Sequence, residues 1–467
     1  MVSLVETLRS ANLANSRTAL APILLAAVQN PLNSSILVTA LVPIAQTFGV
    51  AVATTAWLLV ALYLASAVGQ ATMGKLVDLF GARRVMLAGL VVVSLAGSVG
   101  AFAPTLWWLV AARVVLGLGT SAAYPAAMAK LRELAGEGRP VPVNALSMLA
   151  IASQVSVAFG PSMGGLIVEF FGWRGTVAFN VPVALLTFVL AVRWLPPDPP
   201  RRSTITRAGV VRLLDLPGIG FFAAAISAFM CLTMDVSIPK IALVVIACAC
   251  TTAFVIRERR TATPFVDLRL VTTNRGLALT YMRQTVTMTI VYAVFYGLVQ
   301  WWQQSGGVSP ALTGTMLLAN SVVSIVVAAT FARWLPPRTA ILTGAVFACS
   351  ASLAIEFMTK STPLVMTLVV SAMFGVLGGF NGVANQSILY ALAPRRAMGA
   401  AAGLFRTAQY VGATTSAGVL ALAYGHHATD AGLHIVGIVL AALSVLLVAD
   451  ALFNRTIPAV RADAPVA

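Results

Sequence analysis

The chain has 467 residues, 59% of them hydrophobic and 9% charged, with a mean hydropathy of +0.92. That composition excludes a soluble globule, in which about a quarter of residues are charged. The formal net charge of +16 gathers in the short gaps between apolar stretches, which points to membrane-surface chemistry rather than nucleic-acid binding.

Fourteen apolar stretches fill the chain, at 19–45, 54–74, 84–104, 106–129, 143–170, 173–195, 215–235, 239–255, 278–302, 310–333, 339–356, 363–389, 400–424 and 432–453. About 20 helical residues cross a hydrocarbon core of about 30 Å. In lipid every backbone N–H and C=O must be satisfied within its segment, and the stretches lack the alternation of barrel strands, so they are predicted as helices. The expected fold class is an all-α integral membrane protein. Of the 30 Lys and Arg, Arg174, Lys240 and Lys360 fall on one side, and Arg113, Arg283 and Arg406 lie inside spans. The rest, including Arg83, Arg84, Arg201, Arg202, Arg259, Arg260, Arg395 and Arg396, share the side of the N-terminus. Such a skew predicts that both termini are cytoplasmic. The first stretch is too long for a signal-peptide core and carries Gln29, Asn30 and Asn33, so no cleavable signal is expected.

Taken along the chain, the first informative segment follows helix 2. It reads G-K-L-V-D-L-F-G-A-R-R, from Gly74 to Arg84. Gly74 and Gly81 permit a tight turn, Asp78 puts a carboxylate at a helix end, and Arg83 and Arg84 anchor the basic face. This resembles the signature loop of the major facilitator superfamily, with Gly74, Leu76, Asp78, Gly81 and Arg83 matching, and Leu79 and Ala82 replacing usually basic positions. The resemblance implies two six-helix bundles and an Asp78 that latches them on the cytoplasmic side.

Helix 4 reads A-A-R-V-V-L-G-L-G-T-S-A-A. A buried Arg costs about 2.5–3.5 kcal/mol on insertion scales, so Arg113 is a functional candidate by default. Arg113, Gly117 and Gly119 resemble the R-x-x-q-G-x-g motif of that superfamily's fourteen-helix drug:proton antiporter branch, which is linked there to proton transfer; Leu116 takes the place of its Gln. Helix 5 carries G-P-S-M-G-G, where Pro161 removes a backbone donor while Gly160, Gly164 and Gly165 admit a close neighbour. It is similar to the antiporter motif associated with exporters, with Ser156 at the leading small position. F-G-W-R-G-T-V-A-F-N-V-P (Phe171 to Pro182) and P-F-V-D-L-R-L (Pro264 to Leu270) resemble segments of the fourteen-helix drug:proton antiporter branch.

Residues 196–214 are Pro- and Arg-rich and are predicted as a linker; 257–276 combine a charge run with a short amphipathic surface helix at PFVDLRLV. The expected division is therefore an N-terminal bundle at 1–196, a linker with two inserted helices at 197–277, and a C-terminal bundle with a short tail at 278–467. In the last part, G-L-F-R-T-A-Q-Y-V-G resembles the branch's helix-13 pattern with Gln409 at its Arg position and Arg406 one turn earlier. Arg283 on helix 9 and Arg406 are expected either to face the cavity or to snorkel.

Helix 1 departs from the branch. The resemblance calls for a protonatable Asp, and this chain reads L-N-S-S-I-L-V-T-A-L-V-P with Asn33 in its place. Asn cannot exchange a proton near neutral pH. Glu169, Asp235 and Glu356 fall at outer helix ends, where solvated interfacial charges are the default. If Arg113, Arg283 and Arg406 line one cavity, it is cationic and suits anionic or neutral amphiphiles. Gln29, Asn30, Gln154, Gln284, Asn320, Tyr292, Phe295, Tyr296 and Gln386 complete the candidate cavity set. Cys231, Cys248, Cys250 and Cys349 are expected as buried free thiols, and His426, His427, Asp430 and His434 as a solvated loop rather than a metal site.

The resemblance and topology imply a secondary transporter that exports small amphiphilic or drug-like molecules by alternating access, with protons as a suspected partner and no cofactor. Lipid or organic-anion transport, or uniport, is the alternative on the same fold. A membrane enzyme lacks a clustered nucleophile and base, and a sensor lacks a loop long enough to fold as a domain. The expected location is a bacterial inner membrane.

Overall fold

An apolar stretch in lipid has one way to close its hydrogen bonds alone, and among the described residues the regular elements are all helices, joined by short turns. The computed structural model describes residues 2–135, 143–198, 215–233, 239–261, 272–332, 334–393 and 398–457. The helices are α1 (Thr18–Phe48), α2 (Val52–Phe80), α3 (Ala82–Ala101), α4 (Leu106–Leu134), α5 (143–171), α6 (173–194), α7 (Leu216–Thr233) and α8 (Lys240–Arg260). They continue as α9 (Arg275–Gln304), α10 (Pro310–Phe331), α11 (Pro337–Ile355), α12 (Leu364–Leu392), α13 (Met398–Tyr424) and α14 (Asp430–Phe453). Among the described residues, ten helices are both long and apolar enough to cross a membrane. The predicted surface helix at Pro264 to Leu270, Asp235, Arg201, Arg202, Arg395, Arg396 and most of the 196–214 linker lie outside the described residues.

Two features of the sequence shape α1 and α5. Pro31 withdraws a backbone donor inside α1, and a 3₁₀ turn follows at Leu37–Ala40. That change of hydrogen-bond register leaves carbonyls near residues 33 and 34 open to other donors. At the other break, Gly172 (φ 67°) separates α5 from α6.

Helix pairing sorts the chain into two groups, α1–α6 and α9–α14, while α7 and α8 pack on each other and, through α7, on α2 and α13. The groups meet chiefly through α5 with α10 and α2 with α13, with smaller contacts of α1 on α9 and α10. The direction of the helices gives the molecule a face that carries the start of α1 and the end of α14, the terminal face, and a far face opposite.

The apolar cores show how these groups meet. Towards the far face one core spans both, bringing Leu41, Ile44, Leu58 and Trp173 together with Ile290, Trp301, Leu317 and Leu433. Towards the termini the cores are separate, one around Met86, Leu116 and Leu131 and another around Ile341, Phe380 and Ile388. The groups therefore share one apolar core at the far end, whereas each keeps a core of its own towards the termini. Large apolar side chains such as Phe102, Trp107, Ile241 and Phe453 are exposed on the perimeter, as expected where the surrounding solvent is hydrocarbon and helix association comes from close packing.

Free cysteines depart from expectation: Cys248 is exposed and Cys231, Cys250 and Cys349 are half-buried. Their helices α7, α8 and α11 turn part of their surface away from the bundle cores, so an apolar run did not imply burial in protein.

Candidate functional site

At the junction of the groups stands a cluster of tyrosines. Tyr63 of α2 is buried, and its hydroxyl hydrogen-bonds that of Tyr296 of α9. Tyr292 stacks on Tyr296 with ring centroids 5.7 Å apart and meets Tyr63 edge-on at 5.5 Å. Tyr410 of α13 lies 5.8 Å from Tyr63 and accepts a hydrogen bond from Gln70 Nε2 at 2.6 Å. Offset and edge-on aromatic pairs contribute about 0.5–1.5 kcal/mol each beyond their burial. The four rings thus tie α2 of one group to α9 and α13 of the other.

Arg113 is buried beside this cluster. Its Nη2 donates to the carbonyl of Asn33 at 3.2 Å, and the Tyr296 hydroxyl donates to the carbonyl of Ser34 at 3.4 Å. Both acceptors lie just before the 3₁₀ turn of α1. The chain therefore meets its buried guanidinium with backbone carbonyls at Asn33, where the resembled branch has a carboxylate. The Asn33 side chain itself donates to Gln29 O at 2.9 Å. Arg406 of α13 is half-buried, and its guanidinium sits 3.9 Å from the ring centroid of Tyr124 of α4, a cation–π contact between the groups.

The other sequence-selected residues divide. Asn30 joins the site: it donates to Ser66 at 2.8 Å and Thr120 at 2.9 Å and accepts from Tyr410 at 3.5 Å. Gln29 donates to Thr187 of α6 at 3.2 Å and so serves packing within the first group. Gln154 and Gln386 are exposed, the latter donating to Tyr390 on its own helix at 3.0 Å, and Gln409 is half-buried. Arg283 requires a correction. It neither faces the junction nor snorkels, because Asp450 of α14 meets it at 2.8 Å and Asn385 of α12 at 2.6 Å. Its charge is neutralised inside the second group. The sequence reading missed Asp450, whose partner is far away in the chain.

The signature loop also differs in detail. Asp78 is exposed at the end of α2. The carboxylate that organises this face is Asp198, beyond the end of α6, which accepts the backbone N–H of Arg83 and of Arg84, each at 2.9 Å, and pairs with Lys130 at 2.9 Å. Gly81 begins α3 without a capping side chain, so Asp198 supplies the acceptor for the first amides from another helix. Gly81 has φ 92°, and a β-carbon there would collide with that carboxylate, so glycine is required twice over. Lys130 is fully buried and also pairs with Glu133 at 2.6 Å. Burial pushes the Asp198 carboxyl up, but the Lys130 ammonium and the two backbone N–H groups outweigh it and hold it below the ordinary carboxylate range. Arg83 reaches across to the carbonyl of Val192 at 2.6 Å, while Arg84 is exposed.

The helix-5 glycines face two neighbours. A β-carbon on Gly160 would strike Ser35, and one on Gly164 would strike Ile36 O, both on α1. One on Gly165 would strike Pro310 and Ala311, and one on Gly314 would strike Pro161 and Ser162, so α5 and α10 touch backbone to backbone across the groups. Ser162 Oγ donates to Gly314 O at 3.0 Å. Gly117 packs against Ala65 and Leu62 O of α2, and Gly74 has open space around it. Further far-side ties run from Gln303 Nε2 to Thr39 O at 3.2 Å and from Ala53 N to Gly425 O at 3.2 Å. Asp430 accepts from Trp301 at 2.8 Å and His434 contacts Met358 O at 2.8 Å, so these two are engaged in packing.

Known proteins agree with this architecture. The uncharacterized MFS-type transporter YwoD of Bacillus subtilis is 30% identical over 88% of this chain and 91% of its own. The multidrug efflux pump LfrA of Mycolicibacterium smegmatis is 27% identical over 85% of this chain and 78% of its own. For the puromycin resistance protein pur8 of Streptomyces alboniger the values are 29%, 76% and 73%. Among solved structures, a proton-dependent oligopeptide transporter superposes with a TM-score of 0.65 over 93% of this chain and 97% of its own, at 14% identity. A mutant of the nucleoside transporter NupG does so with 0.62 over 93% and 99%, at 12%. The model of the Major Facilitator Superfamily matches residues 23–417, and the chain belongs to that superfamily of multi-pass membrane transporters.

Proposed function

We propose that this transporter exports small amphiphilic, drug-like molecules by alternating access, and that the tyrosine cluster with Arg113 and Arg406 is the floor of its cargo site. The observation that carries this reading is the asymmetry of the cores, shared by both groups towards the far face and separate towards the termini. A molecule built this way can rock about its middle, opening one end as the other closes. The Lys and Arg skew supports cytoplasmic termini in a bacterial inner membrane, which makes the described state one that is closed to the outside. Residues 1–196, 197–277 and 278–467 serve as first bundle, inserted pair with linker, and second bundle. The names of LfrA and pur8, a multidrug efflux pump and a puromycin resistance protein, support drug-like cargo.

Two guanidiniums and four phenols, with Asn33 in place of an acid, favour neutral or anionic amphiphiles over lipophilic cations. The test is accumulation of chloramphenicol (neutral), fluorescein (anionic) and ethidium (cationic) in efflux-deficient bacteria expressing the protein. Fluorescein and chloramphenicol accumulation is expected to fall and ethidium to stay unchanged. Arg406→Gln is expected to weaken fluorescein export about tenfold, the loss of one charge-assisted contact of about 1.5 kcal/mol. Extrusion of ethidium with both other probes ignored would sink the charge assignment.

A further inference from the structure

Where α10 gives way to α11, the terminal face of the second group opens into a cleft of about 420 Å³. Its walls are Pro336 and Arg338 at the start of α11, and Arg455 and Ile457 just past the end of α14. The volume falls within the range of small-molecule sites, about 300–1,000 Å³. Packing fixes the frame. Ile457 is buried in the near core together with Ala332, Ala340 and Ile341, and Arg338 Nη2 donates to the carbonyl of Asn454 at 2.8 Å. Both arginines are nonetheless exposed.

The charge of the cleft is unbalanced. Among the described residues, neither Arg338 nor Arg455 forms an ion pair with a carboxylate. The acid one turn back on α14, Asp450, is already paired with Arg283 at 2.8 Å and accepts from Asn454 Nδ2 at 2.8 Å. The start of α11 adds to the positive potential. Pro336 and Pro337 open that helix with no capping side chain, which leaves its positive end beside the same two arginines.

Depth in the membrane narrows the ligand class. Phe331 and Trp334 come just before the cleft residues of α11, Leu452 and Phe453 just before those that follow α14, and all four are exposed. Aromatic and apolar side chains exposed at helix ends mark the boundary between hydrocarbon and headgroups. The cleft therefore opens at headgroup depth with apolar surface beside it. Two guanidiniums suit the oxygens of a phosphate, to which each can present two parallel N–H donors. A zwitterionic headgroup brings its own cation, and a free phosphate makes no use of the apolar flank. Basic pockets between transmembrane helices are the kind that take anionic headgroups.

We propose that Arg338 and Arg455 clamp the phosphate of an anionic phospholipid, whose acyl chains lie along Phe331, Trp334, Leu452 and Phe453. The bound lipid fastens the turn between α10 and α11 to the end of α14. It thereby ties the terminal end of α10, the helix that meets α5 across the groups, to the headgroup layer. The site depends neither on the cargo nor on the direction of transport.

Native mass spectrometry of the purified full-length protein in neutral detergent counts the bound lipid and gives its affinity. The wild type is expected to hold one phosphatidylglycerol in preference to phosphatidylcholine at equal concentration. Arg338→Gln and Arg455→Gln are each expected to weaken that binding about fivefold, and the double variant about twenty-fivefold. Arg260→Gln, at the exposed end of α8, tests general surface charge and is expected to leave the affinity unchanged. Arg455→Gln removes no hydrogen bond found among the described residues, so it reads the site even where Arg338→Gln disturbs the fold. Equal affinity of the wild type and the double variant overturns the site. Equal binding of phosphatidylcholine overturns the anionic headgroup. Displacement of the lipid by millimolar inorganic phosphate gives the cleft to a free phosphate and overturns the lipid.

Discussion

Asp198→Ala is expected to lower the stability of the protein by about 3 kcal/mol, the low end of the range for removing one partner of a buried ion pair. The low end applies because Lys130 keeps Glu133. The loss has two parts. The fully buried Lys130 ammonium loses a carboxylate at 2.9 Å, and the amides of Arg83 and Arg84 at the start of α3 lose their acceptor, which returns them to the unsatisfied state of an uncapped helix end. Asp198→Asn retains an oxygen for one amide and gives up the charge, so it falls between wild type and Ala. Asp78→Ala, at an exposed position on the neighbouring helix end, is expected to leave the unfolding midpoint unchanged. Thermal unfolding of the purified protein ranks the three. The pH dependence follows from the direction of the Asp198 shift. A carboxyl held below its ordinary value stabilises the fold fully above about pH 4, and that contribution disappears as the pH falls through the lowered value. The acid limb of the wild-type stability curve should therefore flatten in Asp198→Ala. Equal midpoints for wild type and Asp198→Ala would remove the clasp from the account.

The membrane helices and their superfamily were legible in the sequence because both rest on local signals. Twenty apolar residues need no tertiary partner to declare a span, and G-K-L-V-D-L-F-G-A-R-R is contiguous. Arg113 was legible for the same reason, as a charge inside an apolar run. What the sequence hid was pairing at a distance. Arg283 looked like a cavity residue because Asp450 lies 167 positions away on α14, and only the packing of α9 against α14 brings them together. Asp198 sits in a Pro-rich tail that reads as linker, and its role appears when α6 returns its end beside α3. Tyr63 is one aromatic in an apolar helix, and nothing local distinguishes it from a lipid-facing ring.

The second large effect is expected at Gly165. The motif G-P-S-M-G-G presents its glycines in two directions, and the direction decides the consequence of filling each. Gly160 and Gly164 abut α1 of the same group, so Gly160→Leu forces apart helices that have to stay together in every state and is expected to reduce the folded yield. Gly165 abuts α10 of the other group, where the α5 and α10 backbones touch only if neither carries a β-carbon, and Gly314 makes the reciprocal contact. Overpacking at such a contact costs about 1–3 kcal/mol, and here the cost falls on the state closed at the far face. Each 1.4 kcal/mol is about a tenfold change in an equilibrium, so Gly165→Leu is expected to deplete the closed state by about five- to a hundredfold and to lower export accordingly, while the two bundles remain folded. Gly165→Ala should show the same bias more weakly. Spin labels at the exposed positions Phe171 on α5 and Leu312 on α10 report the outcome directly, since their distance distribution should shift to longer values in Gly165→Leu. Unchanged distances together with wild-type export would mean that the α5–α10 contact does not control opening of the far face.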